Sequence, residues 1–226
     1  MNTSFLFPTH VLVTDEVKRP GLDHVLTVEE EDYIDQVTSK LRPSHVDGDM
    51  KDTIHWVSHE MYVLHHPMMV GLKDWLQQWM KPIMQTLYSS NPSITWTITQ
   101  SWLTVTEPHH LSFTHIHSNS FMSGVVYLQA NREHDMIEFT RPNSVDRMKI
   151  EPFTPHLAKN PSPLVGHAHR IKVHTGDVIL FSSHTPHRIM PTPVKDSSAR
   201  ISLAFNVFPS GTLGTYTHAN ELTVRV

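Results

Sequence analysis

Apolar residues recur with a helical period in the first part of the chain. Over residues 28–41 they form one face behind a capping-box sequence that starts at Thr27, and we predict a helix there that ends before Pro43. A stronger helix is predicted over 67–87, where leucine, tryptophan and methionine side chains make one wide apolar face. Pro82 should kink or split this helix, because proline has no N–H to donate to the carbonyl four residues earlier.

The period changes from helical to alternating after about residue 93. Apolar and polar residues alternate over 94–104, which predicts a long strand, and residues 5–13 predict an edge strand near the start of the chain. Many short strands after a helical region favour a mainly β fold with flanking N-terminal helices, built as a sandwich or barrel. The further strands are predicted over about 113–117, 123–129, 136–140, 170–174, 177–182, 186–190 and 199–208.

The pattern fits a single domain over residues 1–226. Residues 1–92 would supply an N-terminal strand and buttressing helices, and residues 93–210 would form the β core. Residues 141–169 are rich in proline, asparagine and serine and have no clear period, which indicates a loop insertion and a candidate lid. Residues 211–226 would form a C-terminal tail. A chain of this length can bury roughly 70% of its unfolded surface, enough for one well-packed core.

The composition excludes several classes of function. Without cysteine, the chain has no disulfide, no thiolate metal ligand and no cysteine nucleophile. A formal net charge of −4 gives no reason to expect nucleic acid or an anionic membrane as a partner. No apolar run approaches the roughly 20 residues that span a bilayer, and residues 1–8 lack a signal-peptide pattern, so we expect a cytoplasmic protein. The unusual number is 19 histidines, most of which must be structural or surface residues.

Three histidines are notable for their spacing. His115 and His117 are two residues apart in a predicted strand, so both side chains project to the same side. Two imidazoles side by side on a strand are the beginning of a metal site. A third histidine, His187, follows a buried strand about 70 residues later. His167 and His169 form a second pair of this kind in the irregular region, where a surface role is favoured; the same holds for the histidine at position 184.

The segment 200–207 alternates without error. Arg200, Ser202, Ala204 and Asn206 share one face, and four apolar residues share the other. The polar face has no lysine or glutamate, which is unusual for a solvated surface and fits the lining of a wet interior cavity. An arginine in such a cavity needs a carboxylate, because its planar fork binds one through two hydrogen bonds and its charge is permanent. A substrate can supply the carboxylate if no protein acid does.

In the order and spacing of these pieces, the chain resembles the non-haem Fe(II)- and 2-oxoglutarate-dependent dioxygenases. It looks most like the prolyl-hydroxylase-type branch found in bacteria and their phages. The resemblance covers about residues 95–208. The matching pieces are Ser101-Trp102, His115-x-His117 with Ser120, Ser123-Gly124-Val125-Val126-Tyr127-Leu128, Phe181-x5-His187, Arg200-Ile201-Ser202 and Phe205-Asn206, and more weakly Phe7-Pro8-Thr9.

The resemblance implies a double-stranded β-helix, or jelly-roll barrel, with a metal at its open end. His115 and His187 would be the two histidines that bind Fe(II). Arg200, helped by Ser202, would hold the distal carboxylate of the cosubstrate 2-oxoglutarate, and Tyr127 would also reach that carboxylate. The implied activity uses O₂ to hydroxylate a substrate and couples this step to oxidative decarboxylation of 2-oxoglutarate.

The chain departs from the family pattern at His117. The usual metal-binding set is two histidines and one carboxylate, with the acid two residues after the first histidine. Here that position is His117, and residues 108–132 contain no aspartate or glutamate. Either His117 is the third ligand, or it turns aside and water or Asn119 takes its place. Three imidazoles leave the site one charge more positive, which dianionic 2-oxoglutarate can still neutralise. Asn206 either faces the cofactor or bonds to backbone at the strand end.

Other functions stay open at this stage. A cupin-type metalloprotein could hold iron, zinc or manganese with three histidines and no 2-oxoglutarate, although it would not need an arginine clamp. A jelly-roll structural or binding protein, for example of a virion, would keep the fold without a metal. The absence of a basic stripe disfavours a nucleic-acid demethylase.

The substrate and partners are not indicated by the residues themselves. The family resemblance suggests a protein or peptide side chain as substrate, with a small molecule as the alternative, and a second copy of the chain is a candidate partner. A phage-encoded protein of this kind would act in the host cytoplasm.

Overall fold

The elements of the protein are taken from a computed structural model, which describes residues 11–13, 24–44, 55–88, 93–140, 168–194, 197–214 and 220–226. Two α-helices lie in these ranges, α1 (Val28–Thr38) and α2 (Val70–Tyr88), with short 3-10 helices at Val63–His65 and Pro67–Met69 before α2. The strands are β1 (Val11–Val13), β2 (Leu41–Pro43), β3 (Trp56–Ser58), β4 (Thr95–Thr106), β5 (Met122–Gln129), β6 (Met136–Thr140), β7 (Ala168–Lys172), β8 (Val178–Ser182), β9 (His187–Ile189), β10 (Arg200–Leu213) and β11 (Leu222–Val224).

Helix α1 begins where the capping box predicts. The hydroxyl of Thr27 accepts a hydrogen bond from the N–H of Glu30 (3.2 Å), and the Glu30 carboxylate accepts one from the N–H of Thr27 (2.9 Å). The helix ends at Thr38, earlier than predicted, and Leu41–Pro43 forms β2 on the edge of the larger sheet. Pairing with β3 overrides the helical spacing in this segment, and Pro43 is tolerated there because an edge strand does not need every backbone donor.

Helix α2 continues through Pro82 and is not split there. Pro82 is exposed, so the missing N–H falls on the solvent side of the helix rather than in the core. Within the described ranges, neither helix combines the length and the apolar character that crossing a bilayer requires. The apolar face predicted from the period is confirmed as core, and its fully buried side chains are Leu72, Leu76, Met80 and Met84.

Two antiparallel sheets make up the β core. The larger has the strand order β1-β8-β5-β10-β4-β3-β2, and β11 pairs with the far end of β10. The smaller has the order β7-β6-β9. The mainly β fold with N-terminal helices is therefore confirmed. Apolar side chains of both sheets meet between them, in a cluster of Tyr127, Ile137, Phe139, Val173, Ile179 and Phe181.

Strand β10 lies inside the larger sheet, since it pairs with β4 on one side and with β5 on the other. Its side chains Leu203 and Phe205 are fully buried in a cluster with the apolar face of α2. Arg200 and Ser202 alternate with these apolar residues and line a cavity on the other side of the strand. The alternation thus predicts the cavity side of Arg200 and Ser202, whereas Asn206 of the same predicted face is not among the cavity-lining residues and Phe205 of the apolar face is.

The structure differs from the prediction around the histidine pair and the loop insertion. Residues 113–117 do not form a continuous strand; His115 alone makes a bridge, to His187. Residues 168–169 belong to β7, because this strand pairs with β6 along its whole length. The predicted insertion was therefore too long at its end, and the rest of it, residues 141–167, lies outside the described residues.

Other boundaries also differ. The undecided segment 54–64 contains β3 and the first 3-10 helix, both short elements that give no period of their own. The predicted tail contains the end of β10 and the whole of β11, which pair with each other. Residues 5–10 of the predicted first strand and residues 45–54 lie outside the described part of the chain.

Gly124 of β5 is expected to tolerate no side chain. A Cβ at this position would overlap the ring of Phe205, which is fully buried. We expect Gly124→Ala to lower the free energy of unfolding by about 1–3 kcal/mol, as overpacked cores do. Gly71→Ala is the comparison, since its Cβ would meet the ends of the His24 and Glu30 side chains at 2.9 and 3.0 Å, a milder overlap than the one with Phe205. Urea unfolding measures both, and equal effects would contradict the prediction.

Candidate metal centre

Three histidine side chains meet where the segment before β5 lies against β9. His115 and His187 exchange two backbone hydrogen bonds, of 3.0 and 3.1 Å. The N–H of His117 donates to the carbonyl of Ser183 (2.9 Å), which keeps the segment against the loop before β9. One ligand nitrogen from each of the three histidines lies within 4.8 Å of the other two. The structure thus brings together the three histidines that the spacing indicated.

Backbone carbonyls orient two of the three rings. Nδ1 of His115 is 2.8 Å from the carbonyl oxygen of Phe113, and Nδ1 of His187 is 2.9 Å from that of Thr185. A carbonyl only accepts, so in each ring Nδ1 carries the proton and Nε2 keeps its lone pair. The Nε2 atoms of His117 and His187 are 3.3 Å apart. Rings held in this way can present Nε2 to a metal ion.

The three imidazoles differ in burial and in basicity. His187 is 5% exposed, His117 is half-buried and His115 is exposed. Burial and then the neighbouring His115 lower the pKa of His187 to about 3, although the carbonyl of Thr185 opposes this shift. The same two causes lower the pKa of His117 to about 4. Both rings are therefore neutral near pH 7, the form that binds a metal.

Aromatic rings restrict the two inner histidines. The ring of Phe181 lies edge-on to His187 with 4.6 Å between centroids, and Phe139 lies on the same ring at 6.1 Å. Trp102 lies 5.5 Å from His117. Trp102 and Phe181 belong to the motifs of the sequence, but no pattern in the chain assigned them these contacts. Rings packed this closely leave the two inner imidazoles less room to turn.

One small cavity connects the histidines with the polar face of β10. Its volume is about 70 Å³, and no aspartate or glutamate is among the described residues that line it. A larger cavity of about 430 Å³ lies elsewhere, lined by residues that include Asn131, His134 and Ser198, and none of the three histidines contributes to it. The small cavity is the candidate site because it joins the predicted side chains, His115, His117, His187, Tyr127, Arg200 and Ser202.

Arg200 is the one permanent cation in the described lining of this cavity, and it is 3% exposed. Its Nη1 donates to the carbonyl of Met136 (3.2 Å) and its Nη2 to that of Met190 (3.4 Å). Its Nε is buried and has no hydrogen-bond partner. Among the described residues, Asp135 brings a carboxylate close to it, with 4.0 Å between its Oδ1 and Nη1, which is longer than a hydrogen bond. The guanidinium therefore keeps an unsatisfied donor at the cavity.

Tyr127 and Ser202 are buried beside Arg200. Tyr127 is 4% exposed and Ser202 is 6% exposed, and their backbones pair across β5 and β10. Burial raises the pKa of the Tyr127 phenol, although the charge of Arg200 opposes the shift. The phenol is thus protonated at neutral pH and can donate a hydrogen bond to an anion.

Two predicted cofactor contacts lie away from the cavity. Asn119 is exposed in the turn that follows His117. Asn206 is buried, but its amide oxygen accepts a hydrogen bond from the Ser123 hydroxyl (2.9 Å) and its nitrogen donates to Gln100 (3.4 Å). Neither asparagine is among the residues that line the cavity. Of the two roles weighed for Asn206, the structure favours a structural one, with side-chain partners rather than backbone.

The remaining histidines of interest do not join the cluster. His169 is exposed on β7, and His184 is exposed in the turn between β8 and β9. His167 lies outside the described residues. The sequence also gave no sign of Asp135, whose approach to Arg200 depends on how the start of β6 lies against the start of β10.

We expect the metal-free protein to lose stability as the pH falls from about 6.5 to about 4. In the unfolded chain, histidines titrate near 6.5, whereas the folded pKa values of His117 and His187 are about 4 and about 3. Between these values the unfolded state binds more protons, so the free energy of unfolding falls with the pH, by at most about 1.4 kcal/mol per pH unit for each histidine. This stabilisation is fully present above the unfolded pKa.

Urea unfolding at several pH values, with a chelator present, measures this slope. His187→Gln should reduce it, whereas the control His184→Gln should leave it unchanged because His184 is exposed. A slope that is the same in all three proteins would show that the buried rings are not its origin.

Comparison with known proteins shows which family the β core is similar to. Residues 100–206 match a family model described as "Putative 2OG-Fe(II) oxygenase", and this range contains the three histidines, Tyr127 and Arg200. No curated protein matches the chain. The phage origin that the resemblance suggested receives no support from these matches.

Solved structures agree with the family match. A prolyl-4-hydroxylase from Pseudomonas putida is 14% identical, covers 88% of this chain and 92% of its own, and has a TM-score of 0.52. A Trichoplax adhaerens prolyl hydroxylase, solved with a peptide fragment of hypoxia inducible factor, is 9% identical and covers 88% and 83%, with a TM-score of 0.54. The epimerase SnoN, solved with Fe3+, alpha ketoglutarate and nogalamycin RO, is 11% identical and covers 88% and 79%, with a TM-score of 0.56.

At these identities the structures establish the fold, which is the double-stranded β-helix that the resemblance implied. Over residues 100–206, the β core of this chain is similar to the 2OG-Fe(II) oxygenase family.

Proposed function

We propose that this protein is an Fe(II)- and 2-oxoglutarate-dependent dioxygenase that hydroxylates its substrate. The observation that carries the proposal is one cavity lined both by three histidines with ligand nitrogens within 4.8 Å and by a buried arginine with an unsatisfied donor. The first half of this arrangement suits a metal ion, and the second half suits a carboxylate. A keto acid that binds a metal at one end and carries a carboxylate at the other matches both halves.

His115, His117 and His187 would bind the iron. Neutral imidazole is a suitable ligand for Fe(II), and the carbonyls behind His115 and His187 leave Nε2 available. Histidine nitrogens bind a metal ion at about 2.0–2.1 Å, so two nitrogens that hold one ion lie within about 4 Å of each other. The 3.3 Å between Nε2 of His117 and Nε2 of His187 is within that limit. This favours His117 as the third ligand over a water or Asn119, which is exposed in the next turn.

Arg200 would hold the distal carboxylate of 2-oxoglutarate. Its guanidinium cannot lose its charge, and a charge-assisted hydrogen bond would satisfy its buried Nε. Tyr127 and Ser202 line the same cavity and can donate further hydrogen bonds. A volume of about 70 Å³ is several times the roughly 10–15 Å³ that one water needs on the same measure, so a small dicarboxylate fits.

Together, Fe(II), 2-oxoglutarate and O₂ supply an oxidant that converts a substrate C–H bond to C–OH, while the keto acid becomes succinate and CO₂. The chain contributes position and environment. His115, His117 and His187 orient the metal, Arg200 fixes the far end of the cosubstrate, and Phe181 and Trp102 cover the inner histidines from water. His115 is the exposed member of the set, so the substrate would approach from its side.

The substrate would be a protein or peptide side chain or a small molecule, since the structural neighbours include a prolyl hydroxylase with a peptide and an epimerase with a small molecule. We place the protein in the cytoplasm. A three-histidine metalloprotein that does not use 2-oxoglutarate is the second candidate, and the absence of a carboxylate from the described cavity lining favours it. The buried Arg200 argues for the first candidate, because a cupin-type reaction has no use for a carboxylate clamp.

The iron site can be tested by spectroscopy. Adding Fe(II) and then 2-oxoglutarate to the metal-free protein without oxygen should give the weak visible charge-transfer band of a keto acid chelated to iron. His115→Ala and His187→Ala should abolish the band, because each removes a ligand. His117→Ala should lower the metal affinity at least as much as the loss of an outer-shell partner, which costs about 10–100-fold.

His184→Ala is the control, since it removes an exposed histidine from the same loop. No band in the wild-type protein, with unchanged metal affinity in His187→Ala, would reject the proposal. A full band in His117→Ala would remove His117 from the ligand set and leave the rest in place.

The arginine clamp makes a separate prediction. Arg200→Ala should keep its metal affinity and lose about 1.5–3 kcal/mol of 2-oxoglutarate binding, the contribution of a charge-assisted hydrogen bond. Titration of the iron-loaded protein under nitrogen measures both affinities. Arg170→Ala is the control, because Arg170 pairs with Glu138 outside the cavity. Unchanged 2-oxoglutarate affinity in Arg200→Ala would favour the three-histidine protein that does not use this cosubstrate.

A further inference from the structure

Asp135 is a buried carboxylate close to the candidate site that the proposed chemistry does not use. It precedes β6 and is 3% exposed. Its Oδ1 accepts a hydrogen bond from the Thr192 hydroxyl (2.5 Å), and its Oδ2 accepts one from the N–H of Asn131 (2.8 Å). These bonds hold the charged form of Asp135 in place without any contribution from Arg200.

Asp135 lies close enough to Arg200 to act on it by charge, but it does not fix the position of the guanidinium. Oδ1 of Asp135 lies 4.0 Å from Nη1 of Arg200, too far for a hydrogen bond. The position of the guanidinium is instead determined by the carbonyls of Met136 and Met190, to which it donates. Asp135 therefore acts on Arg200 through its negative charge, which at this separation and in a buried setting is a strong influence.

We infer that Asp135 is a built-in counter-charge for Arg200 that stabilises the cavity while no cosubstrate is bound and weakens the binding of the cosubstrate's distal carboxylate. The inference rests on the proposed function, since it takes Arg200 as the carboxylate site. A buried cation without a partner is costly, and no acidic residue is among the described cavity-lining residues. Asp135, which is not itself among the residues that line the cavity, supplies a negative charge 4.0 Å from Arg200.

The charge of Asp135 would become unfavourable when the cosubstrate binds. A second carboxylate at Arg200 must share the cation with Asp135, and like charges in a buried site repel one another. The charge that stabilises the empty cavity therefore also opposes binding of the cosubstrate. Asp135 would set the affinity for 2-oxoglutarate at a lower value than the clamp alone would give.

Asp135→Asn tests the inference, because it removes the charge and keeps the size of the side chain. With iron bound and oxygen excluded, we expect 2-oxoglutarate to bind at least about tenfold more tightly than to the wild-type protein, because a nearby unit negative charge is removed. Without cosubstrate the variant should melt at a lower temperature, and 2-oxoglutarate should raise its melting temperature by more than it raises that of the wild type.

Glu138→Gln is the matched control. Glu138 is 2% exposed and lies on β6, but its carboxylate pairs with Arg170 and Arg188 rather than with Arg200. This variant should also melt earlier, yet its affinity for 2-oxoglutarate should equal that of the wild type. Tighter binding in Glu138→Gln, or weaker or unchanged binding in Asp135→Asn, would overturn the inference.

Thr192→Val provides a second test that does not depend on the folding of Asp135→Asn. It removes the hydroxyl that donates to Asp135 and leaves the carboxylate charge in place, so 2-oxoglutarate should bind severalfold more weakly. Tighter binding would mean that looser packing, and not charge, controls the affinity. A different set of results is expected if Arg200 does not bind the cosubstrate at all. Arg200→Ala would then leave 2-oxoglutarate binding unchanged, and the Asp135 and Thr192 variants would have no effect in either direction.

Discussion

The pair of backbone hydrogen bonds between His115 and His187 is the interaction on which the candidate site depends. His115 and His187 are far apart in the sequence, and they pair as an isolated β-bridge. It places the first histidine beside the third, and His117 follows through its own bond to Ser183. Because the bonds are made by backbone, the site can be held while the side chains stay available for a ligand.

A gradient of burial crosses this site. His187 is packed under Phe181 and Phe139, His117 lies half-buried beside Trp102, and His115 is exposed. The inner rings are kept neutral by burial, so protons do not compete with a metal near pH 7. Under the proposed function, the inner rings would protect the cosubstrate cavity and the exposed His115 would leave access for a substrate.

The charges around the candidate site also balance one another in part. Three histidines stand where the usual set has two histidines and one acid, and Arg200 adds a permanent positive charge nearby. Asp135 balances part of this charge from behind the cavity without a hydrogen bond to the guanidinium. A dianionic cosubstrate would supply the remaining balance. The affinity for that cosubstrate would then depend on Asp135, which does not contact it, because a buried charge acts over several ångströms.

The sequence by itself determined the helices and most strands and indicated the candidate site residues, because period and spacing are local properties. The faultless alternation of β10 was enough to place Arg200 and Ser202 in a cavity, and the i, i+2 spacing was enough to aim His115 and His117 together. Tertiary structure alone decided where α1 ends, why 113–117 makes a bridge instead of a strand, and that Asp135 approaches Arg200. Each of these depends on which segments pair or pack across long separations in the chain, and no local pattern of residues contains that information.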